Sequence, residues 1–321
     1  MKYRIGIDLG ASFIKGGIID AQNQLLHKIV IPTLVGRNSE LILHDIADVI
    51  TRLMQAVEGS ESDLIGIGIG CPGMVDTDNG IVVYSPNLDW NHVALGYFFR
   101  QHFKTPTRIC NETNCAALGE VLAGAAKEAR NCILLTLGTG VGGGIIMNGA
   151  IFEGAHPGGV EIGHMMLKAG GELCSCGRRG CLEAYASATA LIRDTKKAAI
   201  SDVKSMIWKY CHGDPKTIDG KTVFLAAAEG DPTAKQVIAD YISYIGDGIL
   251  DMIHLFRPDK VLLSGGVCNE GDALTVPLRE YVRRNCFGGD NGFIPSIEIA
   301  ELGDMSGIIG AAGLFSAEES I

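Results

Sequence analysis

The feature that most constrains the fold is a strand–turn motif that occurs twice, with its copies starting 128 residues apart. Residues 5–10 read Ile-Gly-Ile-Asp-Leu-Gly, and residues 133–138 read Ile-Leu-Leu-Thr-Leu-Gly. Each copy leads through a glycine-bearing turn into a second apolar run. This period is far longer than the 20–50 residues (roughly) of a solenoid repeat. The motif therefore predicts two related domains that each open with a β-hairpin and face each other across a cleft, where ligand sites are common.

Composition excludes several classes of protein. The 321 residues include 37 acidic and 27 basic side chains, which give a formal net charge of −10. Phosphate backbones are bound by clustered cations, so we expect no nucleic-acid partner. Hydrophobic residues make up 47% of the chain, which is enough for a large core and argues against a disordered protein.

The sequence also argues against secretion and membrane insertion. Asp8 interrupts the first apolar run, so the N-terminus does not resemble a secretion signal. Residues 131–150 carry no charge, but their six glycines favour a strand, a turn and a second strand over a membrane helix. We therefore expect no membrane association and a cytoplasmic protein. Its ten cysteines should be reduced thiols or metal ligands.

Both hairpin turns have the composition of a phosphate-binding loop. The candidate residues are Asp8, Gly10, Ser12 and Lys15 in the first turn and Gly138, Thr139 and Gly140 in the second. Such turns expose backbone N–H groups that suit a phosphate, and Asp8 could hold Mg²⁺ directly or through water. An ordinary hairpin turn is the alternative for either loop alone. A further pair, Gly265 and Gly266, follows a predicted strand and could lie against a flat ring.

The strongest motif is a metal-ligand pattern, H-x9-C-x-C-x4-C. It is formed by His164, Cys174, Cys176 and Cys181. Three thiolates and one imidazole complete a tetrahedral Zn²⁺ site with no open position, which predicts a structural metal. Buried free thiols are the alternative, but three cysteines within eight residues make it the weaker one.

Carboxylates next to these motifs are candidates for sugar binding and catalysis. Glu161 lies three residues before His164, and Glu183 lies two residues after Cys181. Both could bind sugar hydroxyls, with solvated surface glutamates as the alternative. Residues 111–114 read Asn-Glu-Thr-Asn after a predicted strand, where Glu112 could accept the proton of an attacking hydroxyl. A helix-capping cluster explains the same residues, and the sequence alone does not separate the two.

Hydrophobic periodicity predicts a mixture of strands and helices. Predicted strands cover residues 3–9, 13–20, 24–31, 64–70, 108–110, 260–264 and 297–300. Predicted helices cover residues 39–56, 92–102, 114–126, 233–256, 276–284 and 306–317. Ser39 is the expected N-cap of the first helix.

Taken together, these residues resemble the ROK family of sugar kinases and repressors, within the actin/hexokinase-like superfamily. The resemblance extends from Asp8 to Ala312, and its most specific part runs from Glu161 to Glu183. Residues 72–76, Pro-Gly-Met-Val-Asp, and residues 86–90, Pro-Asn-Leu-Asp-Trp, are similar to segments that line the family's sugar pocket.

The resemblance implies a fold and a division into domains. The fold class is α/β, with two actin-like (ribonuclease H-like) domains flanking a cleft and a zinc knot in the larger one. The smaller domain would comprise residues 1–115, closed by a C-terminal helix at 305–321. The larger would comprise residues 116–304 and contain the zinc-binding segment 164–181. A homodimer is usual for the family and is expected here.

The resemblance also implies roles for individual residues. Sugar contacts would come from Gly73, Asn87, Asn111, Glu161, His164 and Glu183. His164 would bind zinc through one ring nitrogen and the sugar through the other. The phosphates of Mg·ATP would lie between residues 8–15 and 138–140, with adenosine near Gly265 and Gly266.

One position departs from the family's pattern. Kinases of this family carry Asn-Asp-x-Asn where this chain has residues 111–114, and the Asp is their catalytic base. The matching residue here is Glu112, whose side chain is one methylene longer. A misplacement of about 1 Å can cost on the order of 10²-fold in rate. We nevertheless expect an active enzyme, because the phosphate loops and the sugar-binding residues are otherwise intact.

The expected activity is ATP-dependent phosphorylation of a hexose, with glucose as the first candidate and O6 as the acceptor oxygen. The alternatives are a kinase for N-acetylmannosamine, fructose or allose, and a catalytically weak sugar sensor. Polyphosphate is an alternative donor. A repressor is not expected, because family repressors carry a helix-turn-helix before the phosphate loop, which here begins at residue 5.

Overall fold

A computed structural model describes residues 2–57 and 63–315. Its strands are β1 (Tyr3–Leu9), β2 (Phe13–Ile19), β3 (Leu25–Pro32), β4 (Leu64–Cys71), β5 (Met74–Asp76), β6 (Ile81–Ser85), β7 (Trp90–Val93), β8 (Thr107–Asn111), β9 (Cys132–Leu137), β10 (Val141–Met147), β11 (Ala150–Ile151), β12 (Lys260–Ser264) and β13 (Ser296–Ile299). Its helices are α1 (Ser39–Gln55), α2 (Leu95–His102), α3 (Glu112–Ala123), α4 (Glu183–Ala186), α5 (Ala188–Ser201), α6 (Ile207–Tyr210), α7 (Thr222–Ala228), α8 (Pro232–Phe256), α9 (Asp272–Asn285) and α10 (Ser306–Gly313).

The two five-stranded sheets have the same strand order. The first is β3-β2-β1-β4-β8 and the second is β11-β10-β9-β12-β13. Numbered within each sheet, both read 3-2-1-4-5, and each opens with a hairpin across one of the repeated glycine turns. This topology confirms the repeat predicted from residues 5–10 and 133–138. A smaller sheet has the order β5-β6-β7.

The register of the first sheet aligns charged residues along one edge. Asp8 of β1 pairs with Lys15 of the antiparallel β2 and with Gly70 of the parallel β4. Gly70 in turn pairs with Cys110 of β8, which is also parallel. The carboxyl ends of β1, β4 and β8 therefore share an edge, and ligands of open α/β sheets bind outside this edge.

Contacts divide the chain into two compact units. One contains residues up to Leu134, Gly144–Val160 and the described residues from Ala300 onward. The other contains Leu135–Gly143 and Glu161–Ile299. The predicted domain boundary after residue 115 lies inside the first of these units. The division into domains of residues 1–115 and 116–304, and the cleft, stay predictions.

The core of the first unit is built on the amphipathic helix α1. Ile42, Ile46, Ile50 and Leu53 recur on one face and are fully buried in a cluster with the apolar residues of β1 and β4. Burying a side chain of this size stabilises the fold by about 1.5–3 kcal/mol. A second cluster joins α10 to β2 of the same unit. Thus the C-terminal helix is part of the first unit.

Most predicted elements are confirmed, but several helix ends are corrected: α3 begins at Glu112 and ends at Ala123, α9 begins at Asp272, and α10 ends at Gly313. Every predicted strand is present to within one residue at either end. The N-cap of α1 is Asn38 and not Ser39, because the Asn38 side chain accepts the hydrogen bond from Glu40 N. The predicted helix at 92–102 is wrong in its first residues, because β7 pairs with β6 up to Val93. Residues 316–317 of the predicted last helix lie outside the described residues.

No helix among the described residues combines the length and the apolar character needed to cross a membrane. The uncharged segment 131–150 contains β9, a turn and β10, as predicted.

Candidate active site

The first hairpin turn is held by Thr33. Gly10 N donates to Phe13 O at 2.9 Å across the turn. Thr33 N donates to Ser12 O at 3.0 Å, and Thr33 Oγ1 donates to Gly10 O at 2.7 Å. The Ser12 side chain remains exposed. The turn is thus fixed through its carbonyl groups, in a form compatible with the predicted phosphate site.

Lys15 lies between two carboxylates in the first unit. Its Nζ is 2.8 Å from Asp304 Oδ1 and 3.7 Å from Asp8 Oδ2. Burial raises the pKa of Asp8 above its ordinary value of 3.8, although Lys15 opposes the rise. The hydrogen bond from Lys15 lowers the pKa of Asp304. Sequence reasoning missed Asp304 as a site residue, because it is 289 positions from Lys15 and no local pattern signals the pair.

Asn111 both caps α3 and holds Glu112. Its Oδ1 accepts hydrogen bonds from Thr113 N at 2.8 Å and Asn114 N at 3.2 Å. Its Nδ2 donates to Gly73 O at 3.0 Å and to Glu112 Oε2 at 2.9 Å. The capping interpretation of this segment is therefore confirmed. It places the Glu112 carboxylate at a helix N-terminus, where the helix dipole favours negative charge.

The other predicted sugar contacts of the first unit lie in nearby turns of the chain. Gly73 follows β4 with φ +101°, a conformation that suits glycine. Asn87 is exposed in the turn between β6 and β7. Asn111 joins Gly73 to α3, whereas the structure gives no contact that ties Asn87 to either residue.

The second hairpin turn is fixed by the start of α5. Gly138 N donates to Gly140 O at 3.0 Å across the turn. Ala188 N donates to Gly138 O at 2.8 Å, and Thr189 Oγ1 donates to Thr139 O at 2.8 Å. Both hairpin turns are therefore held by another segment of the same unit: the first by Thr33, and the second by Ala188 and Thr189.

Glu183 joins this turn to the cysteine segment. Its Oε2 accepts a hydrogen bond from Val141 N at 3.1 Å. A Cβ atom on Gly140 would lie 2.3 Å from the same oxygen, so a larger residue there would displace the carboxylate from its present position. Its Oε1 accepts hydrogen bonds from Ser175 Oγ at 2.6 Å and Cys174 Sγ at 3.3 Å. Sequence reasoning did not single out Ser175.

The four predicted metal ligands lie together in the second unit. One donor atom from each of His164, Cys174, Cys176 and Cys181 lies within 4.8 Å of all the others. The Sγ atoms of Cys176 and Cys181 are 3.7 Å apart, and Cys174 Sγ is 3.6 Å from His164 Nδ1. Tetrahedral zinc with bonds of about 2.3 Å to sulfur and about 2.0 Å to nitrogen gives edges of about 3.8 Å and 3.6 Å. The donor set and its spacing fit a zinc ion.

The remaining predicted residues of the second unit lie at the ends of short elements. Glu161 is exposed, and its carbonyl oxygen accepts the hydrogen bond from His164 N at 3.0 Å. Gly265 follows β12 with φ +98°, and Gly266 begins a 3-10 turn. Near them, Ser264 Oγ donates to Thr136 Oγ1 of β9 at 3.3 Å.

The second unit also contains a cavity of about 850 Å³. It is lined by α5, α8 and parts of the segment 168–179. Its charged groups pair with one another, as in Arg193 with Asp194 at 2.7 Å and Lys197 with Glu172 at 2.9 Å. None of the predicted catalytic, sugar-binding or nucleotide-binding residues lines it, so it is not the candidate active site.

Comparison with known proteins decides the family. The model of the ROK family matches residues 4–318. The chain belongs to the ROK family. Its α/β fold matches the solved structures of ROK-family sugar kinases, as the sequence motifs predicted.

Individual ROK-family relatives include enzymes and regulators. A glucokinase of Halalkalibacterium halodurans is 33% identical, over 99% of this chain and 96% of that protein. The structure of a ROK family glucokinase from Streptomyces griseus in complex with glucose and AMPPNP is 32% identical. It covers 97% of this chain and 98% of that one, with a TM-score of 0.79. A xylose repressor of Caldicellulosiruptor bescii is 29% identical, over 97% of this chain and 77% of the repressor.

Proposed function

We propose that this chain is an ATP-dependent hexose kinase, with glucose as its first candidate substrate. The observation that carries the proposal is the shared edge of the first sheet. There Lys15, Asp8, Gly70 and Cys110 lie side by side on four neighbouring strands. Glu112 lies two residues after Cys110 in the chain. Strands lie about 4.8 Å apart, which puts Asp8 about 10 Å from Cys110, on the strand that leads into the candidate base. The glucokinase relatives, similar over nearly their whole length, support the same conclusion.

Glu112 is the proposed general base. It would accept the proton of the hexose hydroxyl as that oxygen attacks the γ-phosphate of ATP in line. Asn111 holds the carboxylate at the head of α3, and a charged, positioned carboxylate is what this step requires. Phosphoryl transfer depends mostly on positioning and charge stabilisation, so the hydrogen bond from Asn111 contributes directly to the reaction.

The phosphates of ATP are assigned to the two hairpin turns. Lys15 would balance phosphate charge, and Asp8 would hold Mg²⁺ directly or through water. Mg²⁺ supplies neutralisation of phosphate charge in reactions of this class. The adenosine is assigned to Gly265 and Gly266, which follow β12. Because neither residue has a side chain, a flat ring can lie against the backbone there.

A structural zinc ion is proposed for His164, Cys174, Cys176 and Cys181. The support is the near-tetrahedral spacing of their donor atoms. Because Ser175, next to Cys174 in the metal segment, donates a hydrogen bond to Glu183, this segment would also position that carboxylate. The proposed sugar contacts by Glu161, His164 and Glu183 depend on this arrangement, whereas the proposed contact by Asn87 belongs to the first unit. A thiolate-rich site and free cysteines suit a reducing compartment, so we also infer a cytoplasmic protein.

The proposal is tested by a coupled ADP-release assay with Mg·ATP and a panel of hexoses. The panel contains glucose, fructose, mannose, allose and N-acetylmannosamine, with polyphosphate as a second donor. We expect the highest kcat/KM for glucose, with product phosphorylated at O6 by NMR. Turnover that is highest for another hexose would correct the substrate and leave the reaction class intact.

A sugar sensor is the second candidate function, favoured by the repressor among the relatives and by Glu112 in place of Asp. The two functions differ in one measurement. A sensor would bind a hexose in calorimetry and release no ADP with any sugar of the panel. The expected homodimer is tested separately, by light scattering of the purified protein with and without glucose.

A further inference from the structure

The side-chain amide of Asn114 has no role in the reaction as proposed. Asn114 lies in the first turn of α3, two residues after Glu112, and is only 1% exposed. Neither its Oδ1 nor its Nδ2 has a hydrogen-bond partner among the residues that the structure describes. An unpaired buried amide is destabilising. An unpaired buried amide in the first turn of α3, next to the proposed base, therefore needs an explanation, and a functional role is one.

Gly159 lies against this amide. Gly159 has φ +77°, and a Cβ atom added to it would lie 3.1 Å from Asn114 Nδ2. A larger residue would be strained and would crowd the amide. Without a side chain, Gly159 lets a peptide group approach. An asparagine amide offers a donor and an acceptor, which complement the C=O and N–H of a peptide group.

The same backbone segment leads into a proposed hexose contact. Residue 160 is the last of its segment in the first compact unit, and Glu161 is the next residue in the chain. The position of the backbone at residues 158–160 therefore determines the position of the Glu161 backbone. Asn114 itself is too deeply buried to reach a hexose, which excludes direct contact and leaves an indirect role.

We propose that Asn114 is a positioning residue for hexose binding. Its amide pairs with the backbone of residues 158–160 when the hexose is bound, and this pairing holds Glu161 in place. The inference rests on the proposed function insofar as it takes a hexose as the ligand. This role explains why the Asn114 amide is buried. Without a hexose the amide has no partner among the described residues, and with a hexose bound the backbone of residues 158–160 supplies one.

The first test replaces the amide by an apolar group of similar volume, Asn114→Leu. The KM for glucose should rise about tenfold or more, as expected for two lost hydrogen bonds of ordinary strength. The KM for ATP should stay the same. The thermal midpoint should be unchanged or higher, because an unpaired polar group has been removed from the interior. A lower midpoint with equal losses in both KM values would mean that Asn114 is merely structural, and would overturn the proposal.

Thr107→Val is the matched control. Thr107 Oγ1 is also buried without a partner among the described residues, at the start of β8. This variant should leave the KM for glucose unchanged. A rise equal to that of Asn114→Leu would identify a general response to apolar substitution, and the proposal would fail.

A double-mutant cycle with Gly159→Ala tests the contact itself. The methyl group would crowd Asn114 Nδ2, so Gly159→Ala alone should also raise the KM for glucose. Because both changes act on one contact, the double variant should be little worse than the more severe single variant. Additive effects would show that the two residues act separately, and the pairing would be wrong.

Calorimetry separates this inference from the proposed function. Wild-type protein that binds no hexose of the panel contradicts the proposed function. Wild-type protein that binds glucose, with an Asn114→Leu variant that binds it equally well, overturns only the role of Asn114. Weaker binding of glucose by the variant, at unchanged thermal stability, supports it.

Discussion

The side-chain amide of Asn111 donates a hydrogen bond to Glu112 Oε2 at 2.9 Å, while its carbonyl oxygen caps the helix that Glu112 begins. One side chain thus fixes the start of α3 and the carboxylate at its head. Glutamate has one more rotatable bond than the aspartate usual in the family. The hydrogen bond from Asn111 restrains that extra freedom, and this restraint is a physical reason to expect that Glu112 can serve as a base.

Glu112→Gln should lower kcat by about 10²–10⁴-fold, the usual contribution of a general base. Glutamine keeps the shape of the side chain but cannot accept the proton. The affinity for glucose, measured by calorimetry, should change little. Turnover close to that of the wild type would remove Glu112 from the role of base and leave positioning and charge as the sources of rate.

Glu112→Asp tests whether the site is adapted to the longer side chain. Asn111 Nδ2 meets Glu112 Oε2 at hydrogen-bond distance, and a side chain shorter by one methylene would not keep this contact. We therefore expect the aspartate variant to be slower than the wild type in steady-state assays. If the wild type binds glucose without transferring phosphate and Glu112→Asp does transfer it, the chain is a sensor.

Cys176→Ala should remove zinc and weaken glucose binding together. Three protein ligands hold structural zinc poorly, and loss of the metal would loosen the segment from which Ser175 holds Glu183. Elemental analysis should give about one zinc per wild-type chain and far less in the variant. Cys286→Ala, which removes a buried free cysteine of the same unit, is the control and should keep its zinc. Metal-free protein with wild-type affinity for glucose would contradict the coupling.

Sequence reasoning succeeded where the signal is local. The repeated turns, the strand ends and the cysteine spacing each occupy a short stretch of chain. They predicted the two hairpin-opening sheets and the gathered ligand atoms. It failed where the signal is long-range. The partner of Lys15 is Asp304, which lies near the other end of the chain. Residues 92 and 93, the end of β7, were predicted as helix, because the pairing of this strand with β6, and not its own periodicity, decides its conformation.

The unpartnered amide of Asn114 shows a further limit of sequence reasoning. In the sequence, Asn114 is one of four polar residues in a capping segment, and nothing separates it from Asn111. Only the fold shows that Asn111 uses its amide in five hydrogen bonds to main-chain and side-chain groups. The amide of Asn114, by contrast, is buried with no hydrogen-bond partner among the described residues. Burial and satisfaction of polar groups are properties of the packed chain.

Asp8→Asn should reduce turnover strongly while glucose binding stays nearly intact. The change removes the charge that would hold Mg²⁺ and that lies 3.7 Å from Lys15, but it leaves Asn111 and Glu112 unaltered. Initial rates at saturating glucose and calorimetry with glucose measure the two effects. A variant that loses glucose affinity and keeps its rate would show that Asp8 belongs to the sugar site.

The same variant should be more stable than the wild type at neutral pH. Burial raises the pKa of Asp8 above 3.8, so the native state favours the protonated carboxyl. Its contribution to stability is present in full below 3.8 and is lost as the pH rises through the higher native value. The thermal midpoint of Asp8→Asn should therefore exceed that of the wild type at pH 7, and the difference should shrink in acid. A thermal midpoint of Asp8→Asn below that of the wild type at pH 7 would show that the ionised carboxylate is stabilising.

Glu120 is predicted to be a structural anchor for the loop that carries Asp304. Its carboxylate is fully buried in the first unit. Its Oε1 accepts a hydrogen bond from Leu302 N at 2.9 Å, and its Oε2 accepts bonds from Ala125 N at 2.9 Å and Glu301 N at 3.2 Å. The residue thus ties the end of α3 to the backbone just before Asp304.

Glu120→Gln should lower the free energy of unfolding by about 1–3 kcal/mol, because an amide NH₂ group would face a backbone N–H that then has no acceptor. Chemical denaturation measures this loss. Glu301→Gln is the matched control, since the Glu301 side chain is exposed and its backbone N–H keeps its bond to Glu120. It should be as stable as the wild type. The loop anchored by Glu120 leads to the partner of Lys15, so Glu120→Gln should also raise the KM for ATP more than the KM for glucose. Equal stability of the two variants would show that the buried carboxylate of Glu120 is not needed to hold the loop.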